Sequence, residues 1–186
     1  NNVQGGDSAQ TRLRDVLLAL EHAAKDRDVA SVLLTLDELS GGGLPVQREV
    51  AAAITRFRAT GKKVVAWGMN YDQRAYFLAA HADEIYLHPM GSVLIEGYGR
   101  RRNYYRDALD RLGVAVNVVR AGRYKNALET FVANGPSPET QEADAALYQG
   151  LWDQYVEAVE KARRLPSGHL RALIEGLPDS LVAAGG

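Results

Sequence analysis

Cysteine is absent from the 186 residues. A disulfide scaffold, a thiol nucleophile and a zinc site built from thiolates are therefore excluded. The missing thiols leave the redox compartment open, because a chain without cysteine is stable in oxidising and reducing surroundings alike.

Histidine is scarce, and its spacing supports no catalytic or metal motif. The four histidines are His22, His81, His88 and His169. No two lie three to five residues apart, so we expect no metal site. A Gly-x-Ser-x-Gly elbow is also missing, which disfavours a Ser-His-Asp hydrolase.

An excess of charge of one sign is lacking as well. Lysine plus arginine number 22 and aspartate plus glutamate 23, for a net charge of −1. A general polyanion or nucleic-acid binder is therefore disfavoured. No apolar run approaches the ~18 residues of a membrane span, and no leader-like pattern opens the chain.

The composition is that of a globular protein. Hydrophobic residues make up 46% and charged residues 24%, which permits a core and excludes disorder over the whole chain. The length predicts one domain. Because the first residue is Asn1 rather than methionine, we expect a fragment of a longer chain, whose membrane segments these residues would not reveal.

Helical and strand patterns alternate over residues 10–120. Short connections and strands that are apolar throughout predict an α/β fold, with a mostly parallel sheet and helices on both sides. We expect Asp7 or Ser8 to cap the first helix. The predicted helices are 10–25, one marked by Val46, Val50, Ile54 and Phe57, 72–80 and 101–112, and the predicted strands are 31–36, 62–67, 84–88 and 114–120.

The pattern becomes helical after residue 120. It predicts helices over 124–133, over 138–163 with Ser137 as its cap, and over 167–175. We therefore divide the chain into an α/β core, 1–120, and a helical C-terminal extension, 121–186, within one domain.

Three segments have the composition of a site. The glycines at 41–43 follow a strand and precede a helix, so they form either a plain turn or a loop that presents N–H groups to a phosphate or an oxyanion. The arginines at 100–102 form either an anion clamp or a solvated helix turn. Lys125, near the end of the fourth predicted strand, is either an exposed helix lysine or, if buried, a general base.

The chain resembles the signal peptide peptidase A family, which is S49-like, and within it the amino-terminal half of the long, two-repeat protease IV form. The resemblance covers nearly the whole chain. It rests on Lys25-Asp26-Arg27-Asp28, Phe57-Arg58-Ala59-Thr60-Gly61-Lys62-Lys63-Val64-Val65, Asn70-Tyr71-Asp72-Gln73, Tyr76-Phe77-Leu78-Ala79-Ala80, Gly122-Arg123-Tyr124-Lys125-Asn126-Ala127 with Phe131, Ser137-Pro138-Glu139 and Leu151-Trp152.

The resemblance implies a ClpP/crotonase-like fold and a serine–lysine dyad protease without a cofactor or metal. In the two-repeat form the first repeat gives the lysine and the second gives the serine, so the resemblance makes Lys125 the general base. It aligns Gln73 with the serine position, and an amide is no nucleophile. The fragment alone should therefore be inactive. The glycine loop at 41–43 matches the oxyanion loop of the repeat and is vestigial without a nucleophile.

The resemblance also implies a setting for the protein. Its substrates would be hydrophobic signal peptides, and its partners the second repeat and further copies in a tetramer-like homo-oligomer. It would be anchored in the bacterial inner membrane and act on the periplasmic side. Two alternatives remain open: a non-catalytic assembly repeat of the same protein, and a crotonase-type acyl-thioester enzyme.

Overall fold

The computed structural model describes residues 11–117 and 128–176. Three predictions fall outside these ranges: the Asp7 or Ser8 cap, the domain boundary at 120/121, and Lys125. The first described helix begins at Leu13, and Arg12 occupies its N-cap position without a side-chain hydrogen bond.

Helices and strands follow one another much as the periodicity predicts. The described helices are α1 (Leu13–Lys25), α2 (Leu44–Arg58), α3 (Gln73–Ala79), α4 (Arg106–Arg111), α5 (Glu129–Val132), α6 (Pro138–Arg163) and α7 (His169–Glu175). The described strands are β1 (Ser31–Thr35), β2 (Lys63–Gly68), β3 (Tyr71–Asp72), β4 (Glu84–Leu87) and β5 (Val93–Leu94). The α/β class is confirmed, with short parallel sheets flanked by helices.

The chain forms two compact units. The first comprises residues 1–96 with 155–186, and the second comprises 97–154, so the division falls inside α6. Both sheets belong to the first unit: a three-stranded sheet in the order β1-β2-β4, and the pair β3-β5, all parallel.

Over the described residues, one face of the three-stranded sheet carries exposed apolar side chains. Its strands follow sequence order, and right-handed crossovers then place α2 and α3 on the same face. On the opposite face Leu33, Trp67 and Tyr86 are 61%, 39% and 53% exposed. Among the described residues, these three large side chains therefore remain accessible on this face of the sheet.

The core of the first unit lies under the covered face. Ile54 and Phe57 of α2, Val64 of β2 and Phe77 of α3 are fully or almost fully buried. The ring of Tyr155, at the α6 end of this unit, lies 5.5 Å from that of Phe77. Apolar positions spaced by helical periodicity in the sequence thus meet in one cluster.

An ion pair joins the end of α2 to the start of β4. The Arg58 guanidinium donates from Nε (2.8 Å) and Nη2 (2.6 Å) to Asp83 Oδ1, and from Nη1 to the His81 carbonyl (2.9 Å). Asp83 Oδ2 accepts from the Val64 amide at 2.9 Å. These contacts, with the Arg58 hydrogen bond as the largest cause, hold the pKa of Asp83 below its ordinary value.

We expect Asp83→Asn to lower the free energy of unfolding at pH 7 by about 1.5 kcal/mol, since a charge-assisted hydrogen bond becomes a neutral one. Because the pKa of Asp83 is lower in the native state than in the unfolded state, its charge stabilises the fold at pH values above the ordinary carboxyl pKa of about 3.9. This contribution is lost as the pH falls through the native pKa. Urea unfolding at several pH values should therefore show the difference between parent and variant shrinking as the pH falls below the ordinary carboxyl pKa.

Asp28→Asn is the matched control, because it makes the same change at an exposed aspartate. A stability difference for Asp83→Asn that stays constant from neutral to acidic pH would contradict the role given to its charge.

The second unit is held by α4, α5 and the first part of α6. The Tyr105 amide donates to the Thr130 carbonyl at 2.7 Å, and the Tyr105 and Phe131 rings stack at 5.9 Å. Glu129, only 1% exposed, accepts from the Ser137 amide at 2.9 Å and from Thr140 Oγ1 at 2.7 Å. A buried carboxylate therefore connects α5 to the start of α6.

Helix α6 spans 138–163 as predicted, and its cap is confirmed. The Thr140 amide donates to Ser137 Oγ at 3.3 Å. The prediction of a strand over 114–120 is wrong for residues 114–117, which have no ladder partner, and residues 118–120 lie outside the described ranges. Val114 and Val116 are 47% and 37% exposed, so apolar character alone did not produce a strand here.

Within the described ranges, no helix is both long and apolar enough to cross a membrane.

Candidate functional site

The glycine loop lies between the carboxyl end of β1 and the start of α2. Gly41 and Gly42 have φ values of +89° and +74°, a region that side chains disfavour. Gly43 is the N-cap of α2, and no side chain caps it. The glycines therefore have a conformational reason to be there, and the first turn of α2 places backbone N–H groups next to the loop.

Hydrogen bonds fix the neighbouring loops at this end of the sheet. Asp37 Oδ1 accepts from the Met69 amide at 2.6 Å and from the Asn70 amide at 3.4 Å. Asn70 Oδ1 in turn accepts from the Ser92 amide at 3.0 Å and from Ser92 Oγ at 3.2 Å. This chain of contacts was not predicted from the sequence, although an aspartate directly after a strand often hydrogen-bonds to nearby backbone groups.

Gln73 is the first residue of α3. Its neighbour Asp72 caps the helix, because Asp72 Oδ1 accepts from the Ala75 amide at 2.7 Å. Asp72 Oδ2 also accepts from Arg74 Nη2 at 3.0 Å. The position that the resemblance aligns with the serine is therefore the start of a capped helix, and it carries an amide side chain.

A groove of about 510 Å³ opens beside the glycine loop. Helices α1, α2 and α3 supply its apolar wall, and the loop supplies its polar rim. Its lining residues include Leu13, Val16, Glu38, Val46, Gln47 and Val50. All of them belong to the first unit.

Gln47 is the buried polar side chain of this groove, at 5% exposure. Its Nε2 donates to the Gly42 carbonyl at 2.9 Å. Its Oε1 is buried and has no hydrogen-bond partner within the described ranges. Nothing in the sequence distinguished this glutamine from the other polar residues of an amphipathic helix.

Lys125, the predicted catalytic residue, lies outside the described residues, as do Arg120 and Arg123. Of the arginine cluster, Arg100 Nη2 lies 2.6 Å and Arg102 Nη2 3.6 Å from Asp144 Oδ1, all within the second unit. These two guanidinium groups thus pair with a carboxylate of α6.

The histidines have packing and backbone contacts. His81 Nδ1 donates to the Phe77 carbonyl at 2.8 Å, and burial lowers its pKa. His88 Nδ1 accepts from the Met90 amide at 3.1 Å. Over residues 11–117 and 128–176, no three of the acidic or histidine side chains come together as a metal site would require.

Comparison with known proteins identifies the family. The model of Peptidase family S49 matches residues 56–180. Protease 4 of Salmonella typhi is 34% identical over 177 residues, which cover 95% of this chain and 29% of that protein. Protease 4 of Haemophilus influenzae is 36% identical over 151 residues, covering 81% of this chain and 25% of that protein.

A plant protein is also similar: the chloroplastic serine protease SPPA of Arabidopsis thaliana is 25% identical over 140 residues, 75% of this chain and 20% of that protein. The chain thus spans less than a third of the length of these relatives. The chain belongs to peptidase family S49, which confirms the family that its sequence motifs indicated.

Proposed function

We propose that this chain is the amino-terminal half of a serine endopeptidase, in which Lys125 is the general base for a serine located outside these residues. The supporting observation is the match to two Protease 4 sequences, which covers most of this chain but less than a third of theirs. The amide side chain of Gln73, at the start of α3, supports a nucleophile supplied from elsewhere.

The chemistry requires a neutral lysine. The uncharged Nζ of Lys125 takes the proton from the serine hydroxyl while the serine oxygen attacks the peptide carbonyl, and the proton then passes to the leaving amine. Water next hydrolyses the acyl-enzyme. Burial of the amine and the nearby positive charges of Arg120 and Arg123 in the sequence would both lower its pKa toward neutral.

The fold that we propose is ClpP/crotonase-like. Parallel strands joined in sequence order through α2 and α3 support it, and the glycine loop before α2 fits the place of an oxyanion loop. We also keep the division into a core, 1–120, and a helical extension, 121–186, as part of this proposal.

The substrates that we propose are cleaved, hydrophobic signal peptides. The plant relative is a serine protease, SPPA, which supports the protease class. The remaining parts of the proposal are an anchor in the bacterial inner membrane, action on the periplasmic side, and assembly into a tetramer-like homo-oligomer together with a second repeat.

A comparison of two proteins tests this proposal. We expect residues 1–186 alone to show no hydrolysis of a fluorogenic apolar peptide above background, and the protein encoded by the complete gene to hydrolyse it. A fluorophosphonate should label a serine of the complete protein outside these residues. Hydrolysis by residues 1–186 alone, or labelling of a serine within them, would contradict a nucleophile supplied from elsewhere.

A further inference from the structure

We propose that Glu129 is a positioning residue of the peptidase: it fixes the chain that follows Lys125 against helix α6, and its negative charge helps to set the pH at which the Lys125 amine becomes neutral. This inference rests on the proposed function, in which Lys125 is the general base. The residues whose contacts carry it, Glu129, Ser137 and Thr140, all belong to the second unit.

The contacts of Glu129 are those of an ionised carboxylate. Glu129 Oε1 accepts from the Ser137 amide at 2.9 Å, and Oε2 accepts from Thr140 Oγ1 at 2.7 Å. Thr140 Oγ1 itself accepts from Ser137 Oγ at 3.1 Å, which leaves its own hydrogen for the carboxylate. Both carboxylate oxygens therefore act as acceptors, whereas a protonated acid would use one of them as a donor.

Glu129 lies where the positive end of a long helix favours an anion. Ser137 caps the 26-residue helix α6, and a helix N-terminus carries partial positive charge. Two further contacts hold the same stretch of chain: the Tyr105 amide donates to the Thr130 carbonyl at 2.7 Å, and the Tyr105 and Phe131 rings stack. The stretch that begins at Glu129 is thus tied to two other segments of the unit.

A buried charge is an expensive way to hold two helices together. Glu129 is only 1% exposed. Desolvating a carboxylate costs more than burying an apolar side chain of similar size, which would pack α5 against α6 as well. A buried ionisable group that packing alone does not require is a candidate for a role in the chemistry.

Chain length keeps this charge near the proposed base. Glu129 follows Lys125 by four positions, and four residues span at most about 14 Å. A negative charge within this distance favours the ammonium form, so it raises the pH at which the amine loses its proton. Arg120 and Arg123, nearby in the sequence, act in the opposite sense, and Glu129 limits how far they lower the pKa of Lys125.

Other ionisable groups surround Glu129 and remain the same in the variants described next. Burial, followed by the negative charges of Glu129 and Asp144, raises the pKa of Tyr104, so its hydroxyl is neutral over the pH range of the experiment. The charged side chains on the segments that pack around Glu129 include Arg100, Asp107, Glu139 and Asp144. A change in the pH profile of a Glu129 variant therefore reports on Glu129.

The pH dependence of kcat/KM in the full-length protein tests the inference. Rates on a fluorogenic apolar peptide are divided by the concentration of serine that a fluorophosphonate labels, so that misfolded protein does not count. The acid limb of this profile reports the ionisation of the base in the free enzyme. We expect Glu129→Gln, similar in shape, to move this limb to lower pH by about 0.5 pH unit and to lower the plateau about tenfold.

Two further variants separate the charge from the shape. Glu142→Gln makes the same change at an exposed position of α6, and its limb and plateau should equal those of the parent. Thr140→Val removes the hydroxyl that donates to Glu129 Oε2 and leaves the charge in place. Because the carboxylate is then less neutralised by its donors, the limb should move to higher pH by about 0.2 pH unit.

An acid limb that stays at the parent's pH in Glu129→Gln would overturn the inference, because a merely structural residue changes the amount of active enzyme and not the pH at which its base ionises. An equal shift in Glu142→Gln would also overturn it. If Glu129→Gln does not fold, Thr140→Val decides: a limb at higher pH supports the inference, and an unchanged limb refutes it.

Lys125→Ala distinguishes failure of this inference from failure of the proposed function. Where Lys125→Ala is inactive, an unmoved limb counts against the role of Glu129 alone. Turnover that survives Lys125→Ala would overturn the proposed function and the role of Glu129 with it.

Discussion

Full-length protein carrying Lys125→Ala should hydrolyse an apolar peptide about 10³-fold more slowly than the parent, with the loss in kcat. General-base catalysis by a positioned side chain contributes about 10²- to 10⁴-fold, and no other group is assigned to deprotonate the serine. Lys125→Arg should be equally inactive, because a guanidinium remains charged at any working pH. The measurement is steady-state kinetics on a fluorogenic peptide.

An exposed lysine provides the control. Lys25 pairs with Glu21 at the surface of α1, so Lys25→Ala should retain full activity. The Lys125→Ala protein should also elute in size-exclusion chromatography as the parent does. Retained turnover would refute the base role, and it is the result that the assembly-only alternative predicts. Detectable binding of an acyl-thioester would favour the crotonase-type alternative.

Replacing Gly91 by alanine should destabilise the fold by about 3 kcal/mol, at the upper end of the cost of overpacking. A Cβ at this position would overlap the Met69 carbonyl oxygen and lie 2.8 Å from Leu87 Cδ1 and 3.0 Å from the His88 carbonyl oxygen. Two of these three atoms are backbone, so the clash is not relieved by rotating a side chain. Urea unfolding followed by circular dichroism measures the loss.

Gly99→Ala is the matched control for Gly91→Ala. A Cβ at Gly99 would meet no atom within 4 Å, and Gly99 is not among the glycines with positive φ. Alanine there should change stability by less than about 0.5 kcal/mol, as is usual for surface substitutions. Equal urea-unfolding midpoints for Gly91→Ala and the parent protein would contradict this prediction. They would show that the backbone at Met69 and at Gly91 can move apart far enough to accommodate a Cβ.

Sequence periodicity predicted the helices correctly where the pattern depends on residues only a few positions apart in the chain. The spacing of Val50, Ile54 and Phe57 gave α2, and the helix over 138–163 was predicted with its Ser137 cap. These elements depend on side chains a few residues apart and on a local hydrogen bond, both of which the sequence displays.

Features that depend on long-range pairing could not be read in this way. Residues 114–117 are as apolar as a typical strand, but they do not form one in the structure. A strand requires backbone hydrogen bonds to a neighbouring strand, and the sequence of one segment does not show whether such a neighbour is available. The order of the described strands is not specified by the alternation of helix and strand. The unpartnered oxygen of Gln47 is likewise a product of tertiary packing. Lys125 is proposed as the base from the family resemblance, because an isolated lysine in a sequence has no distinguishing pattern.

The exposed apolar face of the three-stranded sheet affects the solubility that we expect of these residues when they are purified alone. Leu33, Trp67 and Tyr86 expose apolar surface there, and contact with another apolar surface would release the water that hydrates it. Among the described strands, β1 also lies at one edge of this sheet, and edge strands can pair with another chain through their backbone groups. We therefore expect this plane of exposed apolar side chains to promote self-association of the isolated chain as the protein concentration rises.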